Sequence, residues 1–386
     1  MKPETENPKR RAFSYFTLET SKLETPLHLS SFNLNQFRCF ESLRLEMKPG
    51  ITIFHGDNAQ GKTSILEAMC VLLRLQSPRS SALADCILFE KNAFAIGGNL
   101  VTDAGDESDM RMQYSSGGRT LLIDDEMQKR SADYLNHSAL VVWMANDDLA
   151  LVRAGGDGRR RYLDFMASQL FPTYRPALRA YDKAMRSRNF LLKRDASPKW
   201  PEIDAYTKIL ADQALIVTRI RRELLTKLTP FAEQAQRTIS GRDEKLGIEY
   251  LSKSGENDDL AAELLSRRSE EYGRRITVAG PHRDDFTMVI NGRPAAKFAS
   301  EGQQRTLALA LKLAQTELFL SLREQPPILL IDDVFGELDV TRRNALMNAW
   351  PKTSQKLITT TNLDWLDGDF SGAARVEICD GIATIA

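Results

Sequence analysis

The stretch Gly56-Asp57-Asn58-Ala59-Gln60-Gly61-Lys62-Thr63 constrains this chain more than any other. It fits the pattern G-x-x-x-x-G-K-[ST], and its flanks suit that pattern. Ile51–His55 (ITIFH) reads as a short buried strand, and Thr63–Leu75 (TSILEAMCVLLRL) reads as a helix with an apolar stripe. Each residue type has a physical task. The glycines let backbone N–H groups close around phosphates at the positive end of a helix dipole. Lys62 reaches the β- and γ-phosphates of a nucleotide, and the Thr63 hydroxyl is a ligand for Mg²⁺. ATP and Mg²⁺ are therefore the expected cofactors, and a strand–loop–helix unit of this kind belongs to an α/β fold.

Two further segments extend the pattern. Ile328-Leu329-Leu330-Ile331-Asp332-Asp333 is an apolar strand ending in acid, the Walker B arrangement. Asp332 would join the Mg²⁺ shell and Asp333 would orient an attacking water, so Lys62, Asp332 and Asp333 are the catalytic candidates. Ser300-Glu301-Gly302-Gln303-Gln304 precedes a helix and alone reads as a capping box, Ser300 with Gln303 three residues on. A serine and a glycine at a helix N-terminus can also cradle phosphate. The segment stands about 25 residues before the Walker B strand and is joined to it by one helix, an order that resembles that of ATP-binding-cassette proteins and favours that use for Ser300, Gly302 and Gln303.

The remaining text divides at two places. Strand signals fill Leu27–Leu34, Leu43–Met47, Ala93–Val101, Leu121–Ile123 and Ala139–Met144. Residues 159–239 are nearly free of them and rich in helix formers, with Pro198-Lys199-Trp200-Pro201 splitting a helical hairpin whose return arm is Ile203–Arg237. Strand text resumes near Ile276. Phe286–Ile290 followed by Asn291-Gly292 is a hairpin signal, Leu307–Leu322 a long amphipathic helix, and Lys356–Thr361 one more core strand. The expected organisation is a solvated tail over residues 1–25, an ATP-binding lobe over 26–152 and 275–386, and a helical insertion over 153–274. No apolar run reaches the ~18 residues of a membrane span. Four scattered cysteines and a polar N-terminus without an apolar h-region fit a cytoplasmic protein.

Charge sharpens this division. The chain carries 52 basic and 52 acidic residues, which argues against indiscriminate coating of a polyanion. The zero is a sum of opposites: residues 153–237 hold 18 basic and 9 acidic residues, leaving 34 and 43 elsewhere. A basic insertion suits contact with a phosphate backbone, with Arg159, Arg160, Arg161, Arg186, Arg188, Lys193 and Arg194 as candidates. A solvated helical face is the alternative for each. Aromatic residues are sparse among them, which disfavours single-strand base stacking.

Taken together, GDNAQGKTSILEA (56–68), RRRYLDF (159–165), YDKAMRSRNFLLK (181–193), GPHRDDF (280–286), SEGQQRTLALALKLAQ (300–315) and LLIDDVFGELD (329–339) resemble the RecF family of bacterial DNA replication and repair ATPases. The resemblance runs from about Leu27 to Thr361. It implies an ABC-type ATPase head, lobe I, with the helical insertion as lobe II. It further implies ATP held between two protomers, the P-loop of one facing Ser300 and Gly302 of the other. Glu337-Leu338-Asp339 resembles the D-loop of that interface. The implied function is an ATP-induced homodimer that clamps double-stranded DNA near gap junctions and helps load recombinase. RecR and RecO are the implied partners, and slow hydrolysis releases the clamp. Phe37-Arg38-Cys39-Phe40 resembles the arginine-bearing turn of such ATPases, making Arg38 a nucleotide or DNA contact.

There are departures. Where transporter-type ATPases carry a histidine, this chain has Thr359-Thr360-Thr361, whose contact with a γ-phosphate would be weaker. Asp333 replaces the more usual Glu, and its shorter arm implies slow turnover. Met144-Ala145-Asn146-Asp147-Asp148-Leu149 lacks the family's usual Pro-Glu-Asp. In Gly280–Phe286, His282 and Arg283 either contact DNA or nucleotide, or form a rigid turn with Arg283 paired to Asp284 or Asp285. The rival function is a nucleotide-gated ATPase subunit that does not act on DNA. The basic insertion, GPHRDD and the missing histidine oppose it. A nuclease of the overcoming-lysogenization type would need more than the roughly fifty residues that follow Asp333.

Overall fold

A computed structural model describes residues 27–194, 197–254, 259–366, 370 and 372–385. The tail expected over residues 1–25 lies outside them. β1 (Leu27–Phe37) and β2 (Phe40–Glu46) form a hairpin across Arg38 and Cys39, and β3 (Ile51–His55) starts a second sheet. α1 (Lys62–Arg74) follows the glycine loop. β4 (Ala93–Thr102), β5 (Glu107–Ser115), β6 (Gly118–Ile123) and β7 (Glu126–Met127) return to the first sheet, an antiparallel array in the order β2-β1-β4-β5-β6-β7. α2 (Ser131–Asn136) then leads to β8 (Val141–Ala145), at the edge of the second sheet.

Past α3 (Ala150–Arg153) the chain is helical through α4 (Gly156–Leu170), α5 (Tyr174–Arg194) and α6 (Trp200–Ser240). Of these, α6 has 41 residues, about 60 Å at 1.5 Å per residue. Pro201 sits in its first turn, where a missing N–H costs nothing, and Gly241 ends it at φ +64°. β9 (Leu246–Leu251), α7 (Leu260–Ser266), α8 (Arg268–Arg274), β10 (Asp285–Ile290), β11 (Arg293–Pro294) and α9 (Ala295–Phe298) come next. α10 (Glu301–Arg323), β12 (Ile328–Asp332), α11 (Val340–Ala349), β13 (Lys356–Thr360), β14 (Ala374–Cys379) and β15 (Ile382–Ile385) complete the fold. The Asn291-Gly292 turn takes φ +48° and +77°, the left-handed pair that its residue types predict.

The second sheet has the order β15-β14-β3-β13-β12-β8, parallel except for β15. Its central strands β3, β13 and β12 are buried on both faces, between two layers. Phe54, Leu330 and Leu357 point into a core shared with α1 and the first sheet. Their neighbours Ile53, Leu329, Ile331 and Ile358 point into a core shared with α4, α6 and α10. This sandwiching fixes the end of every central strand, and with it the loops that follow them.

The span 153–274 is not purely helical. β9 lies inside it and pairs with β10 beyond its boundary, from Leu246 opposite Ile290 to Leu251 opposite Asp285. Its residues are mostly half-exposed, so it lacks an apolar run, and only its partner defines it as a strand. The insertion also shares its main core with α10, through Leu224 and Leu228 of α6 and Leu311 and Leu318 of α10.

One correction falls on Arg188, a phosphate-contact candidate in sequence. It is 1% exposed. Tyr181, Ala184, Arg188 and Leu191 follow the spacing of a buried helix face, so the guanidinium enters the seam between α5 and α6. There it bonds both carboxylate oxygens of the fully buried Glu271 (2.5 and 2.6 Å), Thr207 (2.9 Å) and Thr277 (3.0 Å). Arg188→Met leaves Glu271 charged and unpaired. The expected loss is about 3–5 kcal/mol of unfolding free energy by urea denaturation. The exposed neighbour change Arg186→Ala should stay within about 0.5 kcal/mol.

Candidate functional site

The glycine loop lies where β3 ends. Gly56 adopts φ +145°, and a Cβ there would lie 2.3 Å from the Ile378 carbonyl oxygen of β14. Gly61 adopts φ +91°, and its Cβ would come within 2.6 Å of the Phe40 ring and 2.7 Å of Cys39 Sγ. Neither position admits a side chain. Gly61 is also the N-cap of α1 and offers no side-chain cap, so the first helical N–H groups stay available to an anion. Asp57, Asn58 and Ala59 are exposed above them, with Ala59 at φ +66°. The Gln60 side-chain oxygen accepts the Asp380 N–H (2.7 Å), tying the loop to the β14–β15 turn.

Lys62 is buried and folds back over the loop. Its ammonium donates to the carbonyls of Gly56 (2.7 Å) and Asp57 (2.6 Å). Burial lowers its pKa, opposed by the charges of Asp333, Asp332 and Asp57. The Thr63 hydroxyl donates to Asp332 Oδ1 at 2.7 Å, joining residues 269 positions apart. The same oxygen accepts the Thr359 hydroxyl at 2.7 Å. Asp333 stands at φ +52°, its N–H directed at the Thr359 carbonyl and hydroxyl, both 3.1 Å away. Burial raises its pKa; the Thr361 N–H and Lys62 pull the other way.

These residues suit Mg²⁺. Thr63 and Asp332 form a set of hard oxygen donors beside Lys62. Among the described residues, no three His, Cys, Asp or Glu side chains converge to hold an ion alone. One carboxylate and one hydroxyl are what such an ion takes from protein when phosphate oxygens supply the rest.

The Ser300 segment caps α10. Ser300 Oγ accepts the Gln303 N–H (3.3 Å) and Gln303 Oε1 accepts the Ser300 N–H (2.9 Å). Gln303 Nε2 donates to the buried Glu244 (2.8 Å), which also accepts Gln236 Nε2 of α6 (2.7 Å). The Gln303 side chain is thus committed within the chain, whereas Ser300 is exposed and Gly302 half-buried. Arg305 reaches the Glu337 carbonyl (2.9 Å), joining this segment to the turn after β12. No hydrogen bond among the described residues links Ser300–Gln303 to the glycine loop.

The other candidates separate. Arg38 makes a two-pronged ion pair with Glu67 of α1 (2.6 and 2.9 Å) and donates to the Asp85 carbonyl (2.6 Å), so its donors face inward. Arg159 pairs with both oxygens of Asp285 (2.7 and 2.8 Å) and bonds the carbonyls of Leu151 and Ala154. Arg160 pairs with Asp157 and donates to the Asp284 carbonyl (2.7 Å). Both therefore hold α4 against β10. Arg161, Arg186, Lys193 and Arg194 are exposed, and Arg194 also contacts Glu202 (3.1 Å). In Gly280–Phe286, Arg283 is exposed, and the two aspartates take partners other than Arg283. Asp285 takes Arg159, and Asp284 accepts the Tyr250 hydroxyl and the Lys253 N–H (2.5 Å). Asn146 donates to the Asp333 carbonyl (3.1 Å) and to Glu337 (3.0 Å), and Asp148 is ion-paired with Lys312 (2.7 Å). Sequence reading missed Thr359 and Asn146 as neighbours of the acidic pair; only the departure from the expected histidine marked that strand end.

Residues 31–265 match the family model described as an AAA domain. The chain is 36% identical over 364 residues to the DNA replication and repair protein RecF of Synechococcus sp. (strain JA-2-3B'a(2-13)), covering 91% of this chain and 95% of that one. It is 34% identical over 356 residues to RecF of Listeria welshimeri, covering 89% and 95%. The solved recombination mediator protein RecF with ATPrS, in the RecFOR pathway, superposes with a TM-score of 0.83 at 29% identity, covering 94% of this chain and 98% of that one. An Smc head bound to the C-terminal winged-helix domain of ScpA shares the fold, at a TM-score of 0.53 and 13% identity, covering 93% and 97%. The chain belongs to the RecF family of DNA replication and repair proteins.

His282 yields a pH test. Its Nε2–H donates to the Thr277 carbonyl (3.1 Å), so Nδ1 is the acceptor for the Tyr181 hydroxyl (2.5 Å). Burial lowers its pKa to about 4, with nearby Arg283, Arg160 and Arg221 adding to the effect and the Thr277 bond opposing it. The unfolded ring takes a proton near pH 6.5, while the folded ring waits until about 4. This contribution is therefore present above pH 6.5 and is lost as pH falls toward 4. His282→Gln should shrink the drop in melting temperature between about pH 7 and pH 5, measured by calorimetry at both values.

Proposed function

We propose that this chain is an ATP-dependent DNA-binding protein of recombinational repair and replication restart. Its lobe I comprises residues 26–152 and 275–386, and its arms lie within 153–274. The observation that carries the reading is the convergence of Thr63 on Asp332 beside Lys62, at the mouth of a loop in which two glycines admit no Cβ. The RecF relatives, one of them solved with ATP, support the same reading.

In this proposal residues 56–63 hold the phosphates, with Lys62 turning from the Gly56 and Asp57 carbonyls toward them. Thr63 and Asp332 hold Mg²⁺, which when bound offsets the charge of the transferring phosphoryl group. Asp333 orients water. Its side chain is one methylene shorter than that of Glu and holds the water less well, so hydrolysis is slow and acts as a switch. The exposed Ser300 and Gly302 meet the nucleotide of a second protomer, making ATP the glue of a homodimer. Arg161, Arg186, Lys193 and Arg194 contact duplex DNA near gap junctions. RecO and RecR are the expected partners in loading recombinase.

Sedimentation and duplex-DNA binding with and without Mg²⁺ and ATP test the clamp. ATP should convert monomer to dimer and tighten DNA binding, and Lys62→Ala should lose both effects. Ser300→Arg should abolish the ATP-driven dimer while leaving nucleotide binding by the monomer intact. A monomer unchanged by ATP, or no duplex binding at low salt, overturns the proposal. Turnover should fall well below the ~10 per second typical of enzymes. Arg161→Ala with Arg186→Ala should reduce the salt slope of DNA affinity by about one to two.

A further inference from the structure

β13 runs into three consecutive threonines, and they do different things. Thr360 Oγ1 donates to the Asn362 carbonyl (2.8 Å) and accepts Trp365 Nε1 (3.0 Å), closing the next turn. The Thr361 backbone N–H lowers the pKa of Asp333. Thr359 is 1% exposed, and its hydroxyl is saturated in both senses. It donates to Asp332 Oδ1 (2.7 Å) and accepts the Asp333 N–H (3.1 Å). Since Thr63 donates to the same Oδ1 (2.7 Å), that oxygen holds two hydroxyl donors while Oδ2 accepts no hydrogen bond from the described residues.

We infer that Thr359 is a positioning residue for the metal-binding carboxylate: it fixes the rotation of Asp332 so that one oxygen stays tied and the other is free for the cation. This rests on the nucleotide-site reading above. A carboxylate tethered at one oxygen by Thr63 alone can still turn about its terminal torsion, which is broad and soft. A second donor from β13, on a strand whose backbone is locked by parallel pairing of Asp332 with Thr359, removes that freedom. The same hydroxyl holds the N–H of Asp333, a residue kept at a positive φ that a non-glycine residue rarely adopts. One buried hydroxyl thus orders both members of the acidic pair. Valine has the same shape and makes neither bond; serine makes both.

The test is equilibrium binding of a fluorescent ATP analogue to the full chain, in a Mg²⁺ titration and in EDTA, for wild type, Thr359→Val, Thr359→Ala and Thr359→Ser. The valine variant should raise the Mg²⁺ midpoint on the order of tenfold, as loss of one hydrogen bond to a charged group predicts, while affinity in EDTA changes less than about twofold. Serine should restore the wild-type midpoint. Unfolding temperatures in EDTA report folding separately. Should valine misfold, alanine carries the same expectation. An unchanged Mg²⁺ midpoint, an equal loss with and without Mg²⁺, or failure of serine to rescue overturns the inference. Wild type that binds no nucleotide in either buffer overturns the nucleotide reading, and this inference with it.

Discussion

One carboxylate oxygen joins the parts of this molecule that chemistry would need together. Asp332 Oδ1 accepts hydroxyls from Thr63, at the start of α1, and from Thr359, near the end of β13. Three elements that are remote in sequence therefore meet at one point. That meeting depends on the order of the parallel sheet, which puts β13 between β3 and β12. It depends equally on two cores pressing from opposite faces, because a sheet free to twist differently would separate strand ends by more than a hydrogen bond tolerates. The glycine loop is pinned on its other side by β14, through the close approach of Ile378 to Gly56 and the bond from Asp380 to Gln60. The C-terminal hairpin is thus part of the glycine loop's support.

The local parts of the site were legible in sequence, and the non-local parts were not. Residues 56–63 and 328–333 announce themselves because glycine, lysine and an apolar strand ending in acid are properties of contiguous text. The Asn291-Gly292 turn is legible for the same reason. β5 escaped because its two buried methionines, Met110 and Met112, stand among polar residues facing solvent. β9, β14 and β15 escaped because each is short and takes its identity from a partner strand. Thr359 could not be read as a neighbour of Asp332, since nothing in a run of three threonines says which hydroxyl turns inward.

Charge was the least legible feature. The excess of basic residues over 153–237 is real, but part of it is used inside the fold. Arg188 neutralises Glu271, Arg221 binds Asp164, and Arg159 binds Asp285. The last two hold α6 and β10 to α4, so the positive insertion is in part the means by which it is fastened to the body. Position on the helix decides the fate of each arginine. Residue 188 shares a face with Tyr181 and Leu191, while residue 186 points away and is exposed. A count of charges cannot make that distinction, whereas the 3.6-residue period can.

The long helix α6 gives these pieces a common frame. Its first turns line the α5–α6 seam through Ile203 and Leu210, and its middle holds Arg221 on Asp164 and the Pro281 carbonyl. Near its last turn, Gln236 bonds Glu244, whose other oxygen takes Gln303 of the Ser300 capping box. Glu244 is buried, so its charge is tolerable only while both amides remain in place. A shift of α10 relative to α6 would strip one of them away and leave a buried carboxylate half-satisfied. The geometry of Ser300 is therefore held by the insertion as well as by α10's own cap. This is why the helical segment cannot be regarded as an appendage to an independent body, even though the chain enters and leaves it only once.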